Sequence, residues 1–170
     1  MLQGGIILVK KILATILTFL MCITMLIGCG KSDPVQEDLI NYINNEKPTL
    51  VEYENKITAE YTACTTQVPV DNGALAAKLK DTVIPTTEEL LTKAKAITPA
   101  TEEVNKLHAK YIAVVTEQLE GFNLLLEAAE NSDKTLVATV DEKLTHADTV
   151  SKEYLADMNA LKKKHNIIDK

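Results

Sequence analysis

Residues 98–132 read TPATEEVNKLHAKYIAVVTEQLEGFNLLLEAAENS, and this stretch decides the fold class. Val104, Leu107, Tyr111, Val115, Leu119, Phe122, Leu126 and Ala129 recur at steps of three or four, the spacing of one helix face. Thr98 followed by Pro99 reads as an N-cap and first helical residue. Glu102 and Glu103 suit the positive end of a helix. Asn131-Ser132-Asp133 reads as a turn. A helix of about 30 residues is roughly 45 Å long, so it needs partners along its whole length.

Those partners lie on either side. On the N-terminal side, Leu75, Leu79, Val83, Leu90, Ala94 and Ile97 keep helical phase through Pro85. Pro69-Val70-Asp71-Asn72-Gly73 forms the turn before them. Further upstream, Val35, Leu39, Ile43, Leu50, Ile57, Tyr61, Cys64 and Val68 keep phase through Pro48. An unbroken phase across a proline predicts a kink and not a stop. Asp33-Pro34 reads as the N-cap and first residue of that helix. On the C-terminal side, Val140, Leu144, Ala147, Tyr154, Met158 and Leu161 continue the pattern, closed by Lys162, Lys163 and Lys164. No strand-like alternation is present. Long helices joined by short turns predict an all-α fold, an antiparallel up-down-up-down four-helix bundle with coiled-coil-like packing.

The N-terminal region carries a different message. Lys10 and Lys11 precede residues 12–27, an uncharged apolar or small run of sixteen residues. A membrane span needs roughly 20. The run ends Leu26-Ile27-Gly28-Cys29. This stretch resembles the lipobox of bacterial lipoprotein signal peptides, with Leu at −3, small Gly at −1 and then Cys. The resemblance implies a signal peptide over residues 1–28, cleaved before Cys29. It also implies diacylglycerol on the Cys29 sulfur and an N-acyl, palmitate-type chain. A thiolate is the nucleophile such lipidation needs, and two or more acyl chains give stable anchoring. Residues 29–34 are then a short tether, and residues 35–168 the bundle domain. Val9-Lys10-Lys11 is an ordinary signal start, so translation is expected from Val9. The stretch from Pro99 to Leu107-His108 also resembles a pattern in small extracellular helical lipoproteins; it implies a helix and no activity.

Composition narrows the function. Beyond residue 28, 16 Lys against 24 Asp and Glu leave a net charge of −8, and the chain has no Arg. Nucleic-acid binding rests on cation–phosphate contacts, so it is not expected. Bidentate recognition of phosphate or carboxylate lacks its usual side chain. Cys64 is the lone cysteine after Cys29, which precludes an intrachain disulfide in the mature protein; it is expected to be buried in an apolar stripe.

No nucleophile–base motif, phosphate loop or haem site appears, and no enzyme activity is expected. A di-metal bundle needs Glu-x-x-His pairs. His108, His146 and His165 follow Asn105, Lys143 and Lys162 instead, so no metal and no cofactor are expected. Residues equidistant from a hairpin turn lie level. By that geometry His146 faces Glu117. His108 is level with Glu88, which in turn is level with Tyr53. Tyr53, Glu88 or Glu89, His108, Tyr111 and Tyr154 are therefore expected to share one polar-aromatic layer. It is either buried core whose polar tips pair with each other or a pocket for a small ligand or metal.

Lys162, Lys163 and Lys164 are expected at the lipid-tethered end, facing headgroups. The expected function is that of an extracytoplasmic, lipid-anchored helical protein of the cell envelope. It would act by interaction with an envelope protein or cell-wall component. The alternative is a small-ligand or metal-binding bundle built on the His108 layer.

Overall fold

The computed structural model describes residues 26–28, 33–66, 70–133 and 135–169. Residues 1–25 of the expected signal peptide (1–28), the expected lipidation site Cys29, residues 30–32 of the expected tether, and residues 67–69, 134 and 170 lie outside them.

The fold is all-α apart from one short ladder. The elements in chain order are β1 (Leu26–Gly28), α1 (Pro34–Asn41), a π-helical segment (Tyr42–Glu46) and α2 (Pro48–Thr65). Then come α3 (Asn72–Lys78), a second π-helical segment (Leu79–Val83), α4 (Ile84–Ala96), α5 (Glu102–Asn131), α6 (Val137–Lys164) and β2 (Ile167–Asp169). Among the described residues, no helix is long and apolar enough to cross a membrane.

Both internal prolines sit just after a π-helical segment. Proline lacks the N–H that would complete an α turn, and its ring crowds the carbonyl four residues back. A wider turn relieves that crowding. Lys47 N–H reaches back to the carbonyl of Tyr42 at 2.8 Å, a five-residue span. The flanking residues stay in right-handed helical geometry. α1 therefore runs on into α2, and α3 into α4, as the unbroken apolar phase predicts. The adjustment is a local bulge.

Asp33 caps α1, its carboxylate accepting from Gln36 N–H at 2.7 Å, with Pro34 behind it. Asp71 caps α3 through Gly73 and Ala74 N–H. Ser132 ends α5 in the left-handed conformation, φ 51°.

The start of α5 corrects the sequence reading. Thr98-Pro99 is not the cap pair; the N-cap is Thr101 and the helix begins at Glu102. The loop is held from another helix instead. Asp38 of α1, buried, accepts from Ala100 N–H at 3.0 Å, Thr101 N–H at 2.7 Å and Thr101 Oγ1 at 2.6 Å. A carboxylate beside a helix N-terminus is also favoured by the dipole. Replacing Asp38 with Ala should cost about 1–3 kcal/mol, because three donors lose their acceptor. Chemical denaturation checks it; Asp38→Asn, which keeps one carbonyl oxygen, should lose less.

The core runs along the helices. Leu39, Leu50, Leu79, Val83, Leu90, Val104, Leu107, Val115, Phe122, Val140 and Leu144 are buried in one cluster. α5 and α6 pack along their lengths, with His146 Nδ1 at 3.5 Å from Glu117, the expected facing pair. Gly121 marks a close approach of the two helices. A Cβ built there would stand 2.5 Å from Leu144 Cδ2 and 2.9 Å from its Cγ.

The β ladder is a second departure from the sequence reading. β1 and β2 pair antiparallel, with Leu26 opposite Asp169, Ile27 opposite Ile168 and Gly28 opposite Ile167. Three-residue strands are too short to display the alternation by which strands are recognised.

Candidate functional site

The helices bring His108, Tyr111 and Tyr154 together, as expected, and add three residues that the hairpin geometry missed: Tyr42, Lys47 and Glu54. All six are buried.

His108 organises one half. Its Nε2 lies 2.8 Å from the carbonyl of Ala94, and its Nδ1 3.1 Å from Tyr42 Oη. A carbonyl only accepts, so Nε2 carries the proton and Tyr42 donates to Nδ1. Tyr154 Oη lies 3.3 Å from Tyr42 Oη and completes the relay by donating to it. Burial lowers the His108 pKa and keeps the ring neutral. Through Ala94, His108 also satisfies a carbonyl in the last turn of α4.

Glu54 organises the other half. Tyr111 Oη donates to Glu54 Oε1 at 2.6 Å, and Lys47 Nζ pairs with the same oxygen. Lys47 Nζ also stands 4.0 Å above the centre of the Tyr111 ring. The Tyr111 ring stacks 6.0 Å from His108 and lies 5.7 Å from Tyr154, joining the halves. Burial lowers the Lys47 pKa against the attraction of Glu54, and raises those of Tyr42, Tyr111 and Tyr154. These phenols therefore stay protonated and act as hydrogen-bond groups.

Tyr53 and Glu88 do not join the layer. Tyr53 pairs outside it with Glu89, 3.0 Å away, and Lys93 Nζ lies 5.4 Å from its ring centre. Glu88 is exposed. His108 lies beside Ala94 instead of Glu88, a slip of six residues, or about 9 Å along the axis. The later start of α5 moves the centre of the turn from 98 to 99 and accounts for two of the six. The geometry across the first turn was sound, since Tyr53 does meet Glu89.

The missed residues left a faint signal. Lys47 and Glu54 are seven residues apart, two turns on one face of a helix whose neighbours are apolar. The bulge ahead of Pro48 complicates that spacing. Tyr42 sits inside the same bulge.

Chemically, the layer is closed. Each named polar tip has a partner within the protein, and a ligand would have to displace one. Among the described residues, no group of three or more His, Cys, Asp or Glu is placed to hold a metal. Cys64 is half-buried, its Sγ 3.2 Å from the Tyr61 carbonyl, and burial raises its thiol pKa away from thiolate chemistry.

The histidine gives a pH prediction. Its folded pKa lies below the unfolded value, so the unfolded chain takes up the proton first. Stability should fall as pH drops through about 6.5 and below. His108→Phe should cost about 1–3 kcal/mol at pH 8 and flatten that acidic slope. Urea denaturation between pH 8 and 5 measures both. An unchanged slope in the variant would contradict the assignment to His108.

A second cluster lies where α1 begins and α6 ends. His165 is buried, with Nδ1 2.9 Å from Asp33 Oδ2 and Nε2 3.5 Å from Glu103 Oε2. Gln36 Nε2 donates to the His165 carbonyl at 2.6 Å, and Lys164 pairs with Glu103 at 2.6 Å. The contact with His165 holds the Asp33 carboxyl below its ordinary pKa, and Lys164 does the same for Glu103. Lys163 and Lys164 are exposed at this end. No family model, curated protein or solved structure matches this chain.

Proposed function

We propose that this chain is an extracytoplasmic lipoprotein, held to the membrane by acyl chains on Cys29, whose helical domain acts by interaction and not by catalysis. The observation that carries the reading is the sequence Leu26-Ile27-Gly28-Cys29 closing an apolar run too short to span a bilayer. The closed His108 layer supports it, since each of its named polar groups is already paired.

The arrangement we propose for the helices is an up-down-up-down four-helix bundle. Two features support it: the packing of α5 along α6, and the Tyr42–Tyr154 contact that joins the first helical run to the last. The contacts of Asp33 with His165 and of Asp38 with Thr101 favour one pose. In it, the tether, the loop before α5 and the end of α6 lie at the membrane. Of the turns 66–73 and 130–134, the described residues 66, 70–73 and 130–133 point outward and would meet a partner first.

Site-specific photocrosslinking in the native envelope tests this. Probes at Asn72 and Ser132 should give a discrete envelope-protein or cell-wall adduct, while probes at Lys163 should give lipid. Protein adducts confined to Lys163 would overturn the pose.

A further inference from the structure

We propose that Ile168 is a second membrane contact, entering the phospholipid surface in the lipid-anchored mature protein. The inference rests on the lipoprotein reading and deepens it.

The first observation is the identity of the strand that covers β2. β1 is Leu26–Gly28, the three residues that directly precede Cys29. Cleavage before Cys29 removes β1 entire. The edge of β2 is then vacated in every mature molecule. Ile168 is already 49% exposed with β1 in place, the one exposed large hydrophobic among the described residues. Ile167, by contrast, is buried in the core and keeps the segment attached to the domain.

The second observation is distance. Asp33 lies four residues after the anchored cysteine and touches His165, three residues before Ile168. Four extended residues reach at most about 14 Å. Ile168 is therefore confined within a short distance of the bilayer whatever its own affinity. Tethering makes the second contact intramolecular, so a weak apolar contact is enough to be occupied.

The third observation is the surroundings. Lys162, Lys163 and Lys164 precede the segment in sequence and Asp169 and Lys170 end it, while Asp33 and Glu103 stand near its start. Charges of both signs leave the isoleucine as the driving element. The freed N–H and C=O groups of β2 need water or headgroup partners. That fixes the depth at the interface and excludes the hydrocarbon centre.

The chain contains no Trp, so Ile168→Trp installs a single fluorescent reporter. The full chain is expressed in a processing host, recovered as the membrane-anchored protein, and reconstituted in phosphatidylcholine–phosphatidylglycerol vesicles. Glu130→Trp, exposed at the far end of α5, is the reference. Emission from the Ile168→Trp protein should be blue-shifted and mostly lost when brominated phosphatidylcholine replaces the plain lipid. Emission from the Glu130→Trp protein should be unaffected.

Equal, weak quenching at both positions would overturn the inference. If mass spectrometry of the same sample finds Cys29 acylated, such a result removes this inference alone. An unacylated Cys29 removes the lipoprotein reading and this inference with it.

Discussion

Glu54→Ala should lower folding stability by about 3–5 kcal/mol, the cost of leaving a buried charge without its partner. Lys47 is 4% exposed and Glu54 4% exposed, so water cannot take over. Tyr111 loses its acceptor in the same step. Two companion results separate this account from a simple packing defect. First, with Glu54 gone, burial acts on Lys47 unopposed and its folded pKa falls further below the unfolded value. The unfolded chain then binds the extra proton, so Glu54→Ala should regain stability as pH rises into the alkaline range. Second, Lys47→Met with Glu54→Gln removes both charges and keeps an acceptor for Tyr111. That double variant should recover to within about 1 kcal/mol of the parent, or exceed it. A loss under about 1 kcal/mol for Glu54→Ala would mean that the pair is hydrated.

Gly121→Val should cost about 2–3 kcal/mol. A valine in a helix interior is ordinarily better than glycine by a few tenths of a kcal/mol, so propensity alone predicts a gain. Packing reverses the sign. The new Cβ would meet both Cδ2 and the branching Cγ of Leu144, which is 1% exposed. Gly121→Ala should lose less, because part of the strain is offset by about 1 kcal/mol of helix propensity. Leu144→Ala alone should cost about 2–5 kcal/mol. In the Gly121→Ala background it should cost clearly less, since the cavity accepts the added methyl. Thermal melts of the parent, the two single variants and the double variant give the coupling directly. Additive losses would mean that Gly121 and Leu144 are not in contact.

These two positions also define how far the sequence could be read. The helices were legible because their apolar residues recur along whole faces, and because Asp33-Pro34 and Asn131-Ser132-Asp133 mark ends with local chemistry. The passage of the helices through Pro48 and Pro85 was legible in the unbroken phase, though the π-helical form of the adjustment was not. Gly121 gave a signal in kind, an isolated glycine inside a strong helical pattern. Such a residue points to close packing, but nothing local names Leu144 as the neighbour.

The polar layer was legible in part. His108, Tyr111 and Tyr154 followed from register, and register failed in part because the loop before Glu102 was longer than Thr98-Pro99 suggested. The reason is non-local. Thr101 is fixed as the cap by Asp38, more than sixty residues away, and no pattern within the loop records that. Lys47 and Glu54 were hidden for a related cause: charged residues on a helix are ordinarily solvated, and their burial depends on a partner that only the folded chain supplies. The β1–β2 ladder joins the two ends of the sequence, and three residues carry too little pattern to announce a strand.

Cys29 is proposed as the first residue of the mature protein and the carrier of the lipid. Mass spectrometry of the protein extracted from membranes tests it most directly. The account predicts an N-terminal peptide that begins at Cys29 and bears the mass of a diacylglyceryl group, with or without a further acyl chain. A chain that retains Leu26, Ile27 and Gly28, or one that begins elsewhere with Cys29 unmodified, would contradict it.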